Sequence, residues 1–183
     1  MPTIEERDVD FTIINSQSIF DGHVFQIRRD RLKMPNDKIS ELDIVVHADS
    51  VCMLPIDENK NIWFVRQYRH PAQREILELP AGVLEKDEKP DECAQREIRE
   101  EIGMEAGKII NLGGFYLAPG YSTEFMYVYI MLDLSANPLQ PDENEFLRVE
   151  RIPKENVFDL IEKGKILDAK SIAAIAMANK VQF

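Results

Sequence analysis

The stretch that decides the fold is GVLEKDEKPDECAQREIREEIGM, residues 82–104. Pro90 suits the first position of a helix, and the acidic residues after it favour the first turn because they face the positive end of the helix dipole. Gly103 is typical of a helix terminus. The stretch therefore predicts a helix over about residues 90–102.

This predicted helix carries an apolar stripe beside an acidic face when its residues are spaced at 100°. The stripe can pack on a sheet and comprises Ala94, Ile98 and Ile102. The adjoining face carries three carboxylates, those of Glu97, Glu100 and Glu101. Like charges at this spacing cost a helix roughly 0.2–0.5 kcal/mol per pair. Arg96 and Arg99 offset part of this cost, but on the helical wheel they point to other faces. A bound divalent cation would explain why three carboxylates share one face, and their oxygen atoms would select Mg²⁺ or Mn²⁺. The alternative is an acidic face exposed to solvent.

The overall charge limits the classes of partner. The 183 residues suffice for one domain with a core and a small appendage, and the formal net charge is −11. A surface this acidic repels nucleic acid and anionic membranes, so neither is expected as a partner. An anionic small-molecule substrate needs local positive charge, from a few arginines and a bound cation.

The cysteines and histidines indicate the compartment and exclude one kind of metal site. Cys52 and Cys93 show no CxxC spacing, and the N-terminal MPTIEERDVD has no signal-peptide pattern, so we expect reduced thiols in a cytoplasmic protein. The histidines lack the spacing of zinc ligands; they are His23, His47 and His70. Any metal is therefore expected on oxygen ligands.

Outside the helix, the pattern predicts mostly strands. Residues 10–46 hold alternating or β-branched stretches that favour short antiparallel strands. Further strands are predicted at 51–56, 62–68, 76–85 with a break at 80–82, 107–117, 124–133 and 146–152, and closing helices at about 153–163 and 169–181. The first two of these strands flank a turn-rich break and are predicted to pair as a hairpin. The mixed order favours an α+β fold, with helices on a mainly antiparallel or mixed sheet.

The spacing within residues 82–104 is specific. It runs Gly82, five residues, Glu88, seven residues, Arg96-Glu97-Ile98, one residue, Glu100-Glu101, one residue, Gly103-Met104. This resembles the Nudix box and fills each of its specified positions. The sequence ELPAG at 78–82, Pro119 fifteen residues after Met104 and the acidic loop PDENE at 141–145 resemble the ADP-ribose pyrophosphatase branch of the Nudix hydrolases.

The resemblance implies an architecture. It predicts a Nudix-type α/β/α sandwich over residues 47–183, preceded by a small antiparallel strand extension over residues 1–46. In that branch N-terminal strands often cross to a partner, so the resemblance implies a homodimer.

The resemblance also implies a metal site and a general base. The metal ligands would be Glu97, Glu100, Glu101 and the backbone carbonyl of Ala81, with Glu100 also among the catalytic residues. Gly82 would let the backbone turn so that this carbonyl faces the ions. By similarity, Glu143 is the base that removes a proton from water, and Glu145 is the close alternative; simple solubility also explains this acidic loop.

Substrate contacts are predicted from a basic cluster and one loop. Arg69 matches a substrate-contacting arginine in the resemblance, and Arg suits bidentate phosphate recognition. Arg66 and Arg74 belong to the same basic cluster, and a surface ion pair is the alternative role for each. Glu124 resembles an acidic substrate-site position, and a surface role at a strand edge is its alternative. Pro119 belongs to the loop that marks the branch. Four aromatic side chains are candidates for stacking on a base or for packing, namely Tyr68, Phe115, Tyr116 and Tyr121.

The predicted function is Mg²⁺-dependent hydrolysis of the diphosphate of ADP-ribose or a related nucleoside diphosphate sugar, with Mn²⁺ as a substitute. GDP-mannose and other nucleoside diphosphate sugars remain open as substrates. A different class is a catalytically silent Nudix-like sensor of such metabolites, although the three box glutamates are retained. A third is a structural acidic protein, which would show no stabilisation by metal and nucleotide.

Overall fold

The computed structural model describes residues 10–140, 146–179 and 181. These residues form two compact units. The first contains the chain up to Ala48 together with Ala118–Glu124, and the second contains Asp49–Leu117 and the chain from Phe125 onwards. Among the described residues, no helix has both the length and the apolar character needed to cross a membrane.

The first unit is built on three antiparallel strands, as predicted for residues 10–46. They are β1 (Thr12–Asp21), β2 (Gln26–Lys33) and β3 (Ile39–Val46), in the order β1-β2-β3. The loop Ala118–Glu124 joins this unit at the end of β3, where Val45 donates its N–H to the Tyr121 carbonyl at 2.7 Å and accepts from the Thr123 N–H at 3.0 Å.

In the part of the second unit that the structure describes, there are two sheets and three α-helices. Its strands are β4 (Ser50–Pro55), β5 (Asn61–Arg69), β6 (Arg74–Glu78), β7 (Ala81–Val83), β8 (Met104–Tyr116), β9 (Phe125–Ala136) and β10 (Leu147–Pro153). Its helices are α1 (Pro90–Glu101), α2 (Val157–Glu162) and α3 (Ala169–Ala178). One sheet has the order β7-β4-β9-β8, with β4 and β9 parallel, and the other is antiparallel with the order β10-β5-β6. The α+β prediction with a mixed sheet is confirmed.

The predicted hairpin of β4 with β5 is wrong. β4 pairs with β7 and β9, and β5 pairs with β6 and β10; between residues 51–56 and 62–68 the β-pairing is limited to one bridge, Ile56 with Ile62. The turn-rich residues 57–61 carry the chain from one sheet to the other, because both strands bury side chains against two core clusters. Turn chemistry indicates a reversal of direction, but it does not specify which strand becomes the neighbour.

The core explains where the helices lie. Alternate residues of β4 enter two buried clusters: Val51 and Met53 pack with α1, whereas Cys52 and Leu54 pack with α3. The predicted stripe of α1 is confirmed, since Ala94 and Ile98 are fully buried and Ile102 is 7% exposed. The helix ends at Glu101, and Gly103 follows with φ +72°, a conformation that favours glycine. Helices therefore cover both faces of the sheet layer.

Candidate active site

The acidic face of α1 lies against the start of β7. Glu97 and Glu101 are only 9% and 8% exposed, and the Glu100 side chain is 22% exposed. The Ala81 N–H donates to Oε2 of Glu101 at 3.2 Å. A Cβ placed on Gly82 would lie 1.8 Å from Cδ of Glu97, so the Glu97 carboxyl fills the space that glycine leaves. The structure thus brings together the four predicted metal-ligating residues, on α1 and at the start of β7.

Arg96 holds this acidic face together. Its Nη1 donates to Glu97 Oε1 at 2.7 Å and to Glu100 Oε2 at 2.9 Å, while its Nε and Nη2 donate to Glu88 at 2.8 and 2.9 Å. The hydrogen bond from Arg96 lowers the pKa of Glu88 to about 2. The prediction that Arg96 points away from the carboxylates is wrong, because its long side chain reaches across a full helical turn to Glu100.

The donor chemistry of this cluster fits a hard divalent cation. The side-chain atoms that could ligate a metal are all carboxylate oxygens, which suit Mg²⁺ and Mn²⁺ and not softer ions. Two nearly buried carboxylates require a positive partner, and here the Arg96 guanidinium supplies positive charge to one of them, Glu97. As the side chains stand, no three of the described His, Cys, Asp or Glu side chains are arranged as a ligand set. A bound ion would therefore share these carboxylates with Arg96 or draw them away from it.

Arg69 lies in a second, mostly buried charge network. Its Nε and Nη2 donate to the two oxygens of Glu78 at 2.9 and 2.8 Å, and these hydrogen bonds to Glu78 raise the pKa of Arg69. Glu78 is 3% exposed, whereas the Arg69 side chain is 44% exposed. A guanidinium held on one edge by a buried carboxylate keeps its other N–H donors for an anion.

The other predicted substrate residues fall into different places. Arg66 donates to Glu150 at 2.5 and 3.2 Å, across the β5–β10 pair, so it forms the ion pair that was its alternative role. Pro119 and Glu124 belong to the first unit, where Glu124 lies 3.8 Å from Nδ1 of His47. Glu143 and Glu145 lie outside the described residues, so their role as base stays a prediction.

Two features of the site were missed from the sequence. The bridging role of Arg96 had a signal, because Arg96 and Glu100 are four residues apart on a helix. Lys170 on α3, which donates to Glu78 from a buried position, had none, since ninety-two residues separate the two in the chain.

Comparisons with known proteins identify the family of this chain. The NUDIX domain family matches residues 46–175. The chain is 35% identical to an ADP-ribose pyrophosphatase of Bacillus subtilis (strain 168), over 96% of this chain and 93% of the relative. It is 34% identical to a methanol dehydrogenase activator of Bacillus methanolicus, over 88% of this chain and 89% of the relative. The fold is similar to the crystal structure of an ADP compounds hydrolase, with a TM-score of 0.86, 23% identity and 96% of both chains covered.

The carboxylate helix on a mixed sheet, together with these matches, defines an α+β hydrolase of a class that generally uses divalent metal ions. The chain belongs to the Nudix hydrolase family.

Proposed function

We propose that this chain hydrolyses the diphosphate of ADP-ribose or a related nucleoside diphosphate sugar, giving AMP and ribose 5-phosphate from ADP-ribose. The observation that carries the proposal is the gathering of Glu97, Glu100 and Glu101 on one face of α1, beside residues 81–82. The relative from Bacillus subtilis, matched over nearly its whole length, is named an ADP-ribose pyrophosphatase, which supports this substrate.

The proposed metal is Mg²⁺, with Mn²⁺ as a substitute. Bound divalent ions would neutralise the charge of the diphosphate and lower the pKa of a water molecule bound to them. Glu97, Glu100, Glu101 and the Ala81 carbonyl would hold them. The chain's net charge of −11 makes this local positive charge necessary for an anionic substrate.

Residues outside the metal cluster would bind and orient the substrate. Arg69 presents the free edge of its guanidinium, which suits a phosphate oxygen pair. Pro119 and Glu124 are proposed as substrate contacts from the resemblance alone. Arg66 is a weaker candidate, because its Nε and Nη2 already donate to Glu150.

A substrate panel tests this function. We expect catalytic efficiency to be highest on ADP-ribose among ADP-ribose, GDP-mannose, UDP-glucose, NADH and dinucleoside polyphosphates, with Mg²⁺ or Mn²⁺. Phosphatase-coupled release of phosphate is the measurement, and chelation of the metal should abolish it. Higher efficiency on GDP-mannose would change the substrate within the same reaction. Binding of ADP-ribose without turnover of any compound would contradict the proposal and indicate a sensor.

The general base is proposed to be Glu143. Glu143→Gln should lower kcat about 100-fold with little change in KM, because a positioned base acts on the chemical step and not on binding. Steady-state kinetics on ADP-ribose at saturating Mg²⁺ are the measurement, with Glu145→Gln as the matched control in the same loop. An unchanged kcat in Glu143→Gln together with a collapse in Glu145→Gln would reassign the base.

A homodimer is proposed from the first unit. Its three strands expose large apolar side chains, including Ile13 at 60%, Phe20 at 52% and Ile39 at 54% exposure. Apolar patches of this kind mark interaction surfaces, and the N-terminal strands of the related branch serve as one. Sedimentation of the wild type at about twice the chain mass of 21.1 kDa is expected. A mass of one chain at micromolar concentration would contradict it.

Localisation in the cytoplasm is proposed as well, consistent with two buried free thiols, Cys52 and Cys93.

A further inference from the structure

Lys170 is a buried lysine at the start of α3 that none of the roles above uses. The residue is 8% exposed, and its ammonium donates to Glu78 Oε2 and, at 2.9 Å, to Asp168 Oδ2. Lysines are seldom this buried without a specific charged partner. Here the partner, Glu78, is the same carboxylate that holds Arg69.

The four side chains form a balanced charge network. Arg69 and Lys170 carry two positive charges, and Glu78 and Asp168 carry two negative charges. Burial acts to lower the pKa of Lys170, but the charges of Asp168 and Glu78 outweigh it and the pKa is raised. Burial acts to raise the pKa of Glu78, and contacts with Arg69 and Lys170 reverse that effect. Arg69, Lys170 and Glu78 are therefore charged at neutral pH.

The backbone of α3 is fixed to the strand that carries Glu78. Asp168 caps the helix, because its Oδ2 accepts from the Ser171 N–H at 3.0 Å and from the Ser171 hydroxyl at 2.5 Å. The same hydroxyl oxygen accepts from the Leu79 N–H at 2.7 Å. These hydrogen bonds fix the position of Lys170 against Glu78. Glu78 itself is three residues before Ala81, one of the proposed metal ligands.

We propose that Lys170 is a positioning residue that neutralises Glu78, so that the Arg69 guanidinium keeps its positive charge for the substrate diphosphate. A guanidinium has five N–H donors, and the bidentate contact with Glu78 uses two of them. Without Lys170, the whole charge of Glu78 would be directed at Arg69, and the network would carry one net negative charge. The substrate role of Arg69 rests on the proposed function, whereas the effect of Lys170 on Arg69 does not.

The kinetic test uses a neutral variant and a compensating one. Lys170→Met should raise KM for ADP-ribose about tenfold, because an added negative charge repels the diphosphate, while kcat changes little. Asp168→Asn in the Lys170→Met background restores electrical neutrality and keeps a helix-capping side chain, so KM should return towards wild type. Lys163→Met is the matched control: it also removes one lysine paired with an aspartate, but that side chain is 64% exposed, so KM should not change.

Two results would overturn the proposal. One is an unchanged KM in Lys170→Met. The other is a loss of kcat that Asp168→Asn fails to recover, because a merely structural role for Lys170 predicts further damage from the second substitution. If Lys170→Met fails to fold, Lys170→Gln takes its place in both comparisons, because it removes the same charge and keeps a hydrogen-bond donor for Glu78.

A readout without substrate separates this proposal from the proposed function. The Nε–H resonance of Arg69, assigned by its loss in Arg69→Lys, should shift downfield and exchange more slowly in Lys170→Met, because the pair with Glu78 tightens. Such a shift in a protein that hydrolyses no nucleoside diphosphate sugar would refute the function and leave the role of Lys170 standing. An unshifted resonance would refute the role of Lys170, whatever the substrate.

Discussion

Glu101→Gln is expected to fold normally and to lose about a thousandfold in kcat, an effect of the size seen when one electrostatic stabiliser is removed from a reaction centre. Glu101 is 8% exposed and accepts a hydrogen bond from the Ala81 N–H, which a glutamine oxygen can also accept. The fold therefore keeps its contact, whereas the metal cluster loses a full negative charge. Glu97→Gln should behave in the same way, because its Oε1 contact with Arg96 also survives.

The measurement is kcat on ADP-ribose across a titration of Mg²⁺, with thermal unfolding of each variant alongside. Glu92→Gln is the matched control: it removes a carboxylate from the same helix, but that side chain is 61% exposed and contacts only Lys89 among the described hydrogen bonds. It should keep wild-type turnover. A rate near that of the wild type for Glu101→Gln or Glu97→Gln at saturating Mg²⁺ would remove that residue from the metal-binding set.

The helix that carries these carboxylates was predictable because its signals are local. Proline at the start, glycine beyond the end and an apolar stripe at helical spacing all act within a few turns, and the structure has α1 within one residue of the predicted end. The same applies in part to β6 and β7: the strand predicted over 76–85 is broken, but the break lies at residues 79–80, and Ala81 and Gly82 belong to β7.

Strand pairing was harder to predict because it depends on distant parts of the chain. β4 has β9 as its parallel neighbour, more than seventy residues further on, and no property of residues 50–69 specifies that partner. The prediction followed the local turn signal at 57–61 and assigned a hairpin. Packing of alternate β4 residues into two core clusters, which decides the outcome, exists only once the helices are in place.

The candidate site shows the same division. The acidic face of α1 follows from spacing within one helix, whereas the partners of the arginines come from other elements. Arg66 meets Glu150 across two strands, and Arg69 shares Glu78 with Lys170 of α3. From the sequence, Arg66 and Arg69 belong to one basic cluster. Their different partners leave Arg69 as the stronger candidate for the diphosphate.

Gly82→Ala is expected to lower kcat about a thousandfold while changing the melting temperature little. The added Cβ would lie 1.8 Å from Cδ and 2.0 Å from Oε1 of Glu97, so the carboxyl must move. The atoms it meets, which include Cγ at 2.3 Å, all belong to the Glu97 side chain and not to the backbone, so rotation of Glu97 relieves the clash at small cost to stability. That rotation takes the carboxylate away from Arg96 and from the position at which it would hold a metal ion.

Gly107→Ala is the control for Gly82→Ala, because its added Cβ would meet a backbone atom and not the Glu97 side chain. Its added Cβ would lie 3.2 Å from Cβ and 3.3 Å from the backbone oxygen of Asp133, on the neighbouring strand β9, so the backbone at Asp133 must give by a few tenths of an ångström. Gly107→Ala should therefore lower the melting temperature and keep the wild-type kcat. If Gly82→Ala instead retains full turnover, the Glu97 carboxylate is not needed where the structure has it, and its role as a metal ligand fails. If both variants lose stability and activity together, crowding at Gly82 acts through the fold and not through Glu97.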